Sequence, residues 1–412
     1  MNASTAWRLE VDGETVEEVT GFNYSSDIMA VGEECRWSVV NPLLKYVGKL
    51  LPGSLASVYA INRDVNGGAP TLKFRGRIVE RNAEVSAAGS VIDLGIYDLG
   101  WHLQNCCAPL WFRLDRARFV DLIDPAKVVI KKGGAKGYFV DPAFGFTGFS
   151  TDGLKRAQAK LGAAAVLQQQ QQVVGQLFYV QVEPGDKIYD RIVEYARREN
   201  RLINVSPTGE IQAFLPNYAQ KELYEFRLES GDSSANNIER AKEIQNCSTR
   251  YTKVEVVGQQ LQYEGPQDPN NPNASKKRGC VNHPEILPFP NRLTLSDVEM
   301  YQRGLAQKMA NWHYMRGKYD AYALQLDVVG HHQNGVWYES DTMANVSIDE
   351  LGIKGRMYVS AVRYGIDADK GDVATITLRL PDLLTASFGT YPQPPLVKSL
   401  KDPGRPTEEG KQ

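Results

Sequence analysis

Two stretches that lie far apart in this sequence follow the same pattern. Residues Gly355–Leu380 read GRMYVSAVRYGIDADKGDVATITLRL, and residues Gly76–Asp98 read GRIVERNAEVSAAGSVIDLGIYD. Each begins with Gly-Arg, crosses a turn that ends in glycine, and leaves through a strand of alternating residues. Such alternation on both sides of a short glycine turn is typical of a β-hairpin. The repeat therefore predicts one hairpin that occurs twice, in two related β modules.

The length and composition are those of ordinary globular proteins. A chain of 412 residues is long enough for two or three separate cores, so we expect several domains. With 42% hydrophobic residues, 23% charged residues and a net charge of -2, nothing demands disorder or a polyanionic partner. A dedicated DNA-binding protein would carry a basic excess, because neutralising phosphates supplies most of its affinity.

Targeting and redox signals are sparse. No stretch approaches 18 consecutive apolar residues, and the opening MNASTAWRLEVDG lacks a basic region followed by an apolar run. We therefore expect a soluble protein that is made in the cytoplasm and is not stably inserted in a membrane. The cysteines are odd in number and irregularly spaced, which favours reduced thiols over a disulfide framework. They are Cys35, Cys106, Cys107, Cys247 and Cys280.

The pattern of apolar and turn residues changes along the chain and predicts a mainly β fold with α+β parts. Two similar small antiparallel β-barrel modules are expected, because many short strands with tight turns favour a small closed sheet. A small α/β module and an inserted segment lie between them. The predicted boundaries are 1–104 for the first β-barrel module, 105–175 for the insertion with loops and a helix, 176–236 for the small α/β module, 237–385 for the second β-barrel module with a long loop (260–290) and a helix (296–317), and 386–412 for a Pro-rich C-terminal tail.

The α/β module contains a strong amphipathic pattern. Asp186 is placed to cap the N-terminus of a helix, and two short strands are expected after it, around the turn Ser-Pro-Thr-Gly at 206–209. One face of this helix would carry Ile188, Ile192, Tyr195 and Ala196.

A second helix is predicted to begin at a capping box, Ser-Asp-Val-Glu at 296–299, whose side chains would satisfy the first free amides of the helix. Gly317 is predicted to end it, since glycine readily adopts the left-handed conformation common after helices. Its buried stripe would consist of Tyr301, Leu305, Met309 and Trp312.

The histidines and cysteines do not form a convincing metal site. Adjacent side chains in a strand point to opposite faces, so His331 and His332 cannot easily share one metal. The Gln-Asn-Gly that follows them predicts a turn in solvent. His102 lies four residues before Cys106, but no second Cys/His pair supports a zinc site. His313 is expected to be exposed or at an interface.

Signatures of catalysis or nucleotide binding are also missing from the sequence. The turn GGAKG at 133–137 lacks the Gly-Lys-Ser/Thr ending of a phosphate loop and is interpreted as a basic turn. No acidic pair stands in an apolar setting that would separate two pKa values, as glycosidase chemistry requires. The sequence therefore assigns no catalytic, metal-binding or cofactor-binding residue, and we expect neither a cofactor nor an enzyme.

One stretch leaves a second class of function open. VEPGDKIYDRIVEYARRENRL at 182–202 loosely resembles a LysM peptidoglycan-binding repeat, in which a strand, Gly-Asp and a helix precede a second helix and strand. Here the second half has the pattern of a hairpin instead. This second class is a cell-wall carbohydrate-binding or peptidoglycan-hydrolysing component, which would need acidic and aromatic residues converging on a cleft.

The order of the modules resembles a known family. From Trp7 to Asp382 the chain is similar to the baseplate hub of contractile-tailed phages, of the Mu type, which is related to the hub of T-even phages and to the hub domain of type VI secretion spike proteins. The resemblance is carried by FRGRIVERN and VIDLGIYDL, PGDKIYDRIVEYARRENRLINVSPTGEIQAF, NCSTRYTKVEVVGQ and YVSAVRYGIDADKGDVATITLRL. The insertion at 105–175 departs from the compact family pattern.

The resemblance implies a structural role in a virion tail or a tailocin. It implies a homotrimer whose two similar barrels per chain make a ring of approximate sixfold symmetry. Such a ring would join the tail tube protein to the central spike protein, contact baseplate wedge proteins, and let genomic DNA pass as cargo during ejection. A passage should not grip its cargo, so the absence of a basic excess agrees with this expectation.

Overall fold

The structure is a computed structural model. It describes residues 5–108 except 18, 41–44, 47 and 88, then 114–117, 137–140, and 180–384 except 199–201, 215, 232, 259–277, 283–289, 298–302, 368–370 and 382. Most of the predicted insertion and of the loop at 260–290, the tail at 386–412 and most of the GGAKG turn lie outside the described residues.

Seven strands are described in the first β module. They are β1 (Ala6–Val11), β2 (Glu14–Val16), β3 (Val19–Asp27), β4 (Glu34–Val40), β5 (Leu55–Ile61), β6 (Thr71–Ser86) and β7 (Gly89–Asp98), followed by the short helix α1 (Trp101–Asn105). These strands follow from the alternation of buried and more exposed side chains. In β5, for example, Ala56, Val58 and Ala60 are buried while the residues between them are half-buried.

The α/β module draws strands from the predicted insertion. Its elements are β8 (Leu114–Ala117), β9 (Gly137–Val140), β10 (Val180–Val182), α2 (Ile188–Arg198), β11 (Leu202–Val205) and β12 (Glu210–Phe214). The β11–β12 hairpin turns at 206–209 as predicted, β9 joins β12 in parallel, and β8 pairs with β10. Two strands between 105 and 175 therefore belong to the sheets of this module.

The remaining elements form the second β module and a small sheet under a long helix. They are β13 (Glu222–Leu228), β14 (Ile238–Gln245), β15 (Lys253–Gly258), β16 (Arg278–Asn282), β17 (Arg292–Asp297), α3 (Arg303–Ala321), β18 (Tyr322–Val329), β19 (His332–Gln333), β20 (Val336–Trp337), β21 (Thr342–Ile348), β22 (Ile353–Asp367) and β23 (Gly371–Arg379). The prediction of a mainly β fold with α+β parts is confirmed.

The two β modules repeat one strand order. In the first, β3, β4, β7, β6 and β5 are neighbours in that order, and every pair is antiparallel. In the second, β14, β18, β23, β22 and β21 are arranged in the same way. The repeated hairpin is β6–β7 in one module and β22–β23 in the other, and each has a one-residue register shift. The modules differ at the sixth strand, since β1 is antiparallel to β5 whereas β13 is parallel to β21.

The two modules are joined into one sheet. The first half of β22 pairs with β21, and its second half, Ala361–Gly365, pairs with Asn23–Asp27 of β3. Thirteen of the described strands are linked in this way. One hydrophobic core follows the sheet and includes buried side chains of both modules, among them Trp37, Phe74, Leu324 and Ile376. A second core lies between α3, the β15–β17 sheet and the end of β23.

The first predicted helix is confirmed in its buried face. Ile188, Ile192 and Ala196 of α2 are all buried, whereas the side chain of Tyr195 is outside the described residues. The carboxylate of Asp186 accepts hydrogen bonds from the amide of Glu183 and from Nε of Arg191. Asp186 thus orders the turn before the helix and one residue of its first turn.

The second predicted helix is displaced along the chain. Ser296 and Asp297 end strand β17, so the capping-box prediction is wrong for them, and α3 spans Arg303–Ala321. The backbone of Ser296 and Asp297 pairs with β15, so these residues extend the strand and do not cap the helix. Met309 is buried as predicted, Trp312 is half-buried, and Tyr301 and Leu305 are not described in their side chains.

Gly317 does not end α3, and that prediction is wrong too. It lies inside the helix, where a Cβ atom would stand 2.2 Å from the carbonyl oxygen of Thr249. Gly279 has the same role on β16, because a Cβ there would lie 2.1 Å from the Ala306 carbonyl oxygen. Both glycines let the helix approach neighbouring backbone closely.

The substitution Gly317→Ala reverses the ordinary sign of a glycine-to-alanine change in a helix. Alanine normally stabilises a helix interior by about 1 kcal/mol. Here the new methyl group would overlap the Thr249 carbonyl, so we expect a loss of about 1–3 kcal/mol in the free energy of unfolding by urea. Gly231→Ala is the control, since open space surrounds that position and its free energy should change little. A stabilised Gly317→Ala variant would contradict the close approach.

Candidate functional site

The histidine pair is inside the protein, so the prediction that these histidines lie in solvent is wrong, although the predicted turn is present at Asn334 and Gly335. His331 is fully buried and His332 is 5% exposed. Nδ1 of His331 accepts a hydrogen bond of 3.2 Å from the indole Nε1 of Trp7, so Nε2 carries the proton and faces the carbonyl oxygens of Gly365 and Val373 at 3.0 and 3.2 Å. Burial lowers the pKa of His331, which favours this neutral ring.

The role of His331 is to connect the two modules. Trp7 belongs to β1 of the first module, whereas both carbonyl groups belong to the hairpin of the second. The local Gln-Asn-Gly pattern gave no signal of this contact, because Trp7 lies 324 positions away in the sequence.

Cys35 is fully buried, whereas His102, His313, Cys106 and Cys107 occupy less buried places. His102, Trp312 and His313 are half-buried, Cys106 is half-buried and Cys107 is exposed. Burial, and to a smaller extent Arg77, lowers the pKa of His102. In the described part of the chain, no group of three or more His, Cys, Asp or Glu residues could hold a metal ion. No helix among the same residues is long and apolar enough to cross a membrane.

A buried carboxylate orders the end of the first hairpin. Oδ2 of Asp98 accepts hydrogen bonds from the amides of Gly32 and Glu33, both at 3.0 Å. Oδ1 accepts from Gly100 at 2.7 Å and from Trp101 at 3.0 Å. Burial raises the pKa of Asp98 to about 6, although the four amides oppose this shift. Asp98 therefore holds the loop before β4 against the start of α1.

A second buried carboxyl group extends this arrangement. Oε1 of Glu33 accepts a hydrogen bond of 2.6 Å from the amide of Asp27, at the end of β3. Burial raises the pKa of Glu33 well above its ordinary value, and the nearby charge of Asp98 raises it further. Sequence reasoning found no signal for Asp98 or Glu33. Burial distinguishes them from the other acidic residues, and the segments that bury them are distant in the chain.

A cavity lies where the three modules meet. This junction cavity has a volume of about 410 Å³. Phe74 of the first module, Phe214 of the α/β module and Tyr364 of the second module contribute to its wall. At its margin, Nζ of Lys73 lies 2.6 Å from Oε1 of Glu339, with the lysine only 5% exposed. Burial lowers the pKa of Lys73, and the Glu339 carboxylate opposes that shift.

The repeated hairpin of the first module extends beyond the core. In β6, residues 82–86 are all exposed, so both faces of the strand meet solvent. Val85 is 75% exposed and Val91, on the neighbouring strand, is 38% exposed. We call residues 82–91 the hairpin arm. The arm therefore carries two exposed aliphatic side chains, one on each strand.

The second hairpin has an exposed aliphatic residue at the matching place. Val85 pairs with Ser90 and is one pair before the last pair of the β6–β7 hairpin. Ile366 pairs with Asp372 and is one pair before the last pair of the β22–β23 hairpin. Ile366 is 47% exposed. Each chain therefore presents two equivalent β-branched side chains near the tips of equivalent hairpins.

Solved structures of tail proteins share this fold. A tail protein from Neisseria meningitidis matches with a TM-score of 0.69 and 16% identity, over 93% of this chain and 98% of its own. The 43 kDa tail protein of prophage MuSo2 from Shewanella oneidensis gives 0.64 and 14%, over 91% and 98%. Prophage tail protein gp18 from Listeria monocytogenes gives 0.52 and 10%, over 90% and 94%.

The likeness is one of fold and extends over nearly the whole of each chain. No protein-family model matches the sequence, and no curated protein matches it either. At identities of 16% and below, the shared backbone arrangement is what these comparisons establish. The chain has the fold of these tail proteins.

The burial of Asp98 predicts a measurable dependence of stability on pH. Its folded pKa, about 6, lies above the value of an unfolded aspartate, so between these values the folded state binds the extra proton. Its contribution to stability is thus fully present below the unfolded pKa and is lost as pH rises through 6. From pH 7 to pH 4, the unfolding free energy of the native chain should rise relative to Asp98→Asn by roughly 1–3 kcal/mol. Parallel curves for the two proteins in urea titrations would show that Asp98 does not titrate in this range.

Proposed function

We propose that this protein is a structural baseplate hub of a contractile phage tail or of a tailocin. It forms a homotrimer in which two equivalent hairpins per chain produce a ring of approximate sixfold symmetry. The observation that carries the proposal is the equivalence of Val85 and Ile366 on two modules with one strand order.

The arithmetic of symmetry supports the trimer. A ring with threefold symmetry normally meets a sixfold partner at only half of the partner's positions. Three copies of a chain with two similar modules offer six similar units, so that each position finds a related surface. The departures between modules, such as the parallel β13–β21 pair, mean that the six units are similar and not identical. Closed rings also need heterologous interfaces, for which exposed aliphatic side chains are suitable.

The fold likeness to tail proteins supports the proposed partners. In this role the ring contacts the tail tube protein on one side and the central spike protein on the other, with baseplate wedge proteins around it. Genomic DNA passes through as cargo, in agreement with a net charge of -2 that gives no general attraction to phosphate. The place of the protein is the tail baseplate of the virion, after synthesis in the host cytoplasm.

The state of the titratable groups supports a role without catalysis. His331 is surrounded by an indole and two carbonyl groups, and Asp98 accepts four backbone hydrogen bonds. Each of these groups is occupied in joining chain segments. Polar side chains that are buried with backbone partners order a fold, whereas a general acid or base must reach a substrate.

The proposal predicts that the purified protein forms trimeric rings and that its hairpin tips contact the tail tube. Light scattering should give the mass of three chains, and electron microscopy should give rings with threefold symmetry. The double variant Val85→Asp and Ile366→Asp places charge at both tips, so the complex with a hexameric tail tube should weaken at least ten-fold because a charged carboxylate would have to be desolvated.

The matched control is Leu51→Asp with Leu351→Asp. These leucines are 49% and 37% exposed and lie away from the hairpin tips, one in each module. The control should keep both the mass and the affinity of the native chain. A protein that stays monomeric beside tube and spike components, or equal losses in both double variants, would contradict the proposed role.

A further inference from the structure

A groove lies between helices α2 and α3. We call it the helical groove; its volume is about 570 Å³. The apolar part of its wall comes from both helices, from the segment after β3 and from β11. Among these residues are Ile28, Met29, Tyr189, Val193, Leu202 and Trp312. Two aromatic rings, Tyr189 on α2 and Trp312 on α3, face the groove from opposite helices.

The charge on the margin of the groove is uneven. Asp190 and Glu194 line it from α2 and are four residues apart, so they lie on the same side of that helix. On α3 the lining residue Arg316 is engaged by Asp320, with Nε and Oδ2 at 2.7 Å. Glu194 already accepts a hydrogen bond of 2.9 Å from Nη1 of Arg191. Asp190 is therefore the acidic group that the α2 margin offers, and a ligand with an apolar body and a positive charge is complementary to it.

The last described residues lead directly to this region. Leu383 and Leu384 are buried in the core that also contains Ile28 and Leu202 of the groove wall. Just before them, Nη1 of Arg379 donates hydrogen bonds to the carbonyl groups of Tyr319 and Tyr322, at the end of α3. The chain beyond Leu384 thus starts beside the second core, next to the C-terminal end of α3.

The distance to the groove is short for the segment that follows. Trp312 lies seven residues before Tyr319 in α3, which corresponds to about 10 Å along the helix. Residues 385–391 can span roughly 20 Å when extended. The sequence after Leu384 can therefore reach Trp312 with length to spare.

The sequence of that segment combines an apolar body with positive charge, as the groove requires. Residues 391–401, which lie outside the described residues, read YPQPPLVKSLK. Three prolines favour the polyproline II conformation, which docks in aromatic-lined grooves and loses little entropy on binding. Leu396, Val397 and Leu400 supply an apolar body, and Lys398 and Lys401 supply the positive charge.

We propose that residues 391–401 of this chain dock in the helical groove of the same chain. The prolines lie against Tyr189 and Trp312, the aliphatic side chains fill the space beside Val193, and a lysine approaches Asp190. Because the segment is covalently attached, its effective concentration is on the order of millimolar, so even a weak intrinsic affinity keeps the groove occupied. The tail is thereby a strap that holds α2 and α3 together, independently of the assembly role proposed above.

A labelled peptide of residues 390–402 tests the proposal by fluorescence anisotropy. The chain that ends at Thr390 should bind it, and the full-length chain should bind it at least ten-fold more weakly, because its own segment occupies the groove. Val193→Asp in the truncated chain should weaken binding at least ten-fold, while Leu51→Asp should not. Asp190→Lys should weaken binding several-fold, and a peptide with Lys398→Glu and Lys401→Glu should recover it.

Three results would overturn the proposal. The first is equal binding of the peptide to the full-length and truncated chains. The second is peptide binding that does not change with Val193→Asp. The third is a full-length chain that excludes the peptide at high protein concentration but binds it once the protein is diluted to monomer. The last result would place the tail in the groove of a second copy. If the chain ending at Thr390 does not stay folded, the full-length chain with Leu396→Ser and Val397→Ser serves as the receptor, with the same expected ten-fold difference.

Discussion

The pairing of β22 with β3 is the contact on which the rest of the structure depends. Five residues of one strand, Ala361–Gly365, meet Asn23–Asp27 of the other, and Tyr364 lies opposite Tyr24. Their rings stack at 5.8 Å with planes 10° apart. The strands are more than 300 residues apart in sequence, but the entropic cost of closing a loop grows only with the logarithm of its length. A few buried aromatic contacts can therefore offset it.

Buried polar groups surround the β3–β22 pairing, which we call the seam, and they favour the correct alignment of the two modules. His331 receives the indole hydrogen of Trp7 and faces two carbonyl groups of the second hairpin. Tyr364 donates its hydroxyl hydrogen to the carbonyl of Tyr338, and Tyr24 donates to that of Lys73 at 3.2 Å. A hydrogen bond of this kind contributes about 1 kcal/mol, but a buried group left without its partner costs more. The seam thus disfavours misaligned pairings of the two modules.

The predictable part of the fold was local and periodic. The hairpins at 76–98 and 355–380 follow from alternation around a glycine turn, and the buried face of α2 follows from the spacing of Ile188, Ile192 and Ala196. The start of α3 was not predictable in the same way. Ser296 and Asp297 have the chemistry of a helix cap, yet their backbone pairs with β15, and a ladder to a distant strand leaves no local signal.

By itself, the sequence determined that there are two hairpins of one design, their order in the chain, and the absence of a recognisable catalytic motif, because these depend on side chains within about 25 positions of each other. Only the tertiary structure decided that the modules share one sheet, that His331 is buried, and that Asp98 holds two loops together. Burial and pairing depend on which distant segments meet, and that is set by the packing of the whole chain.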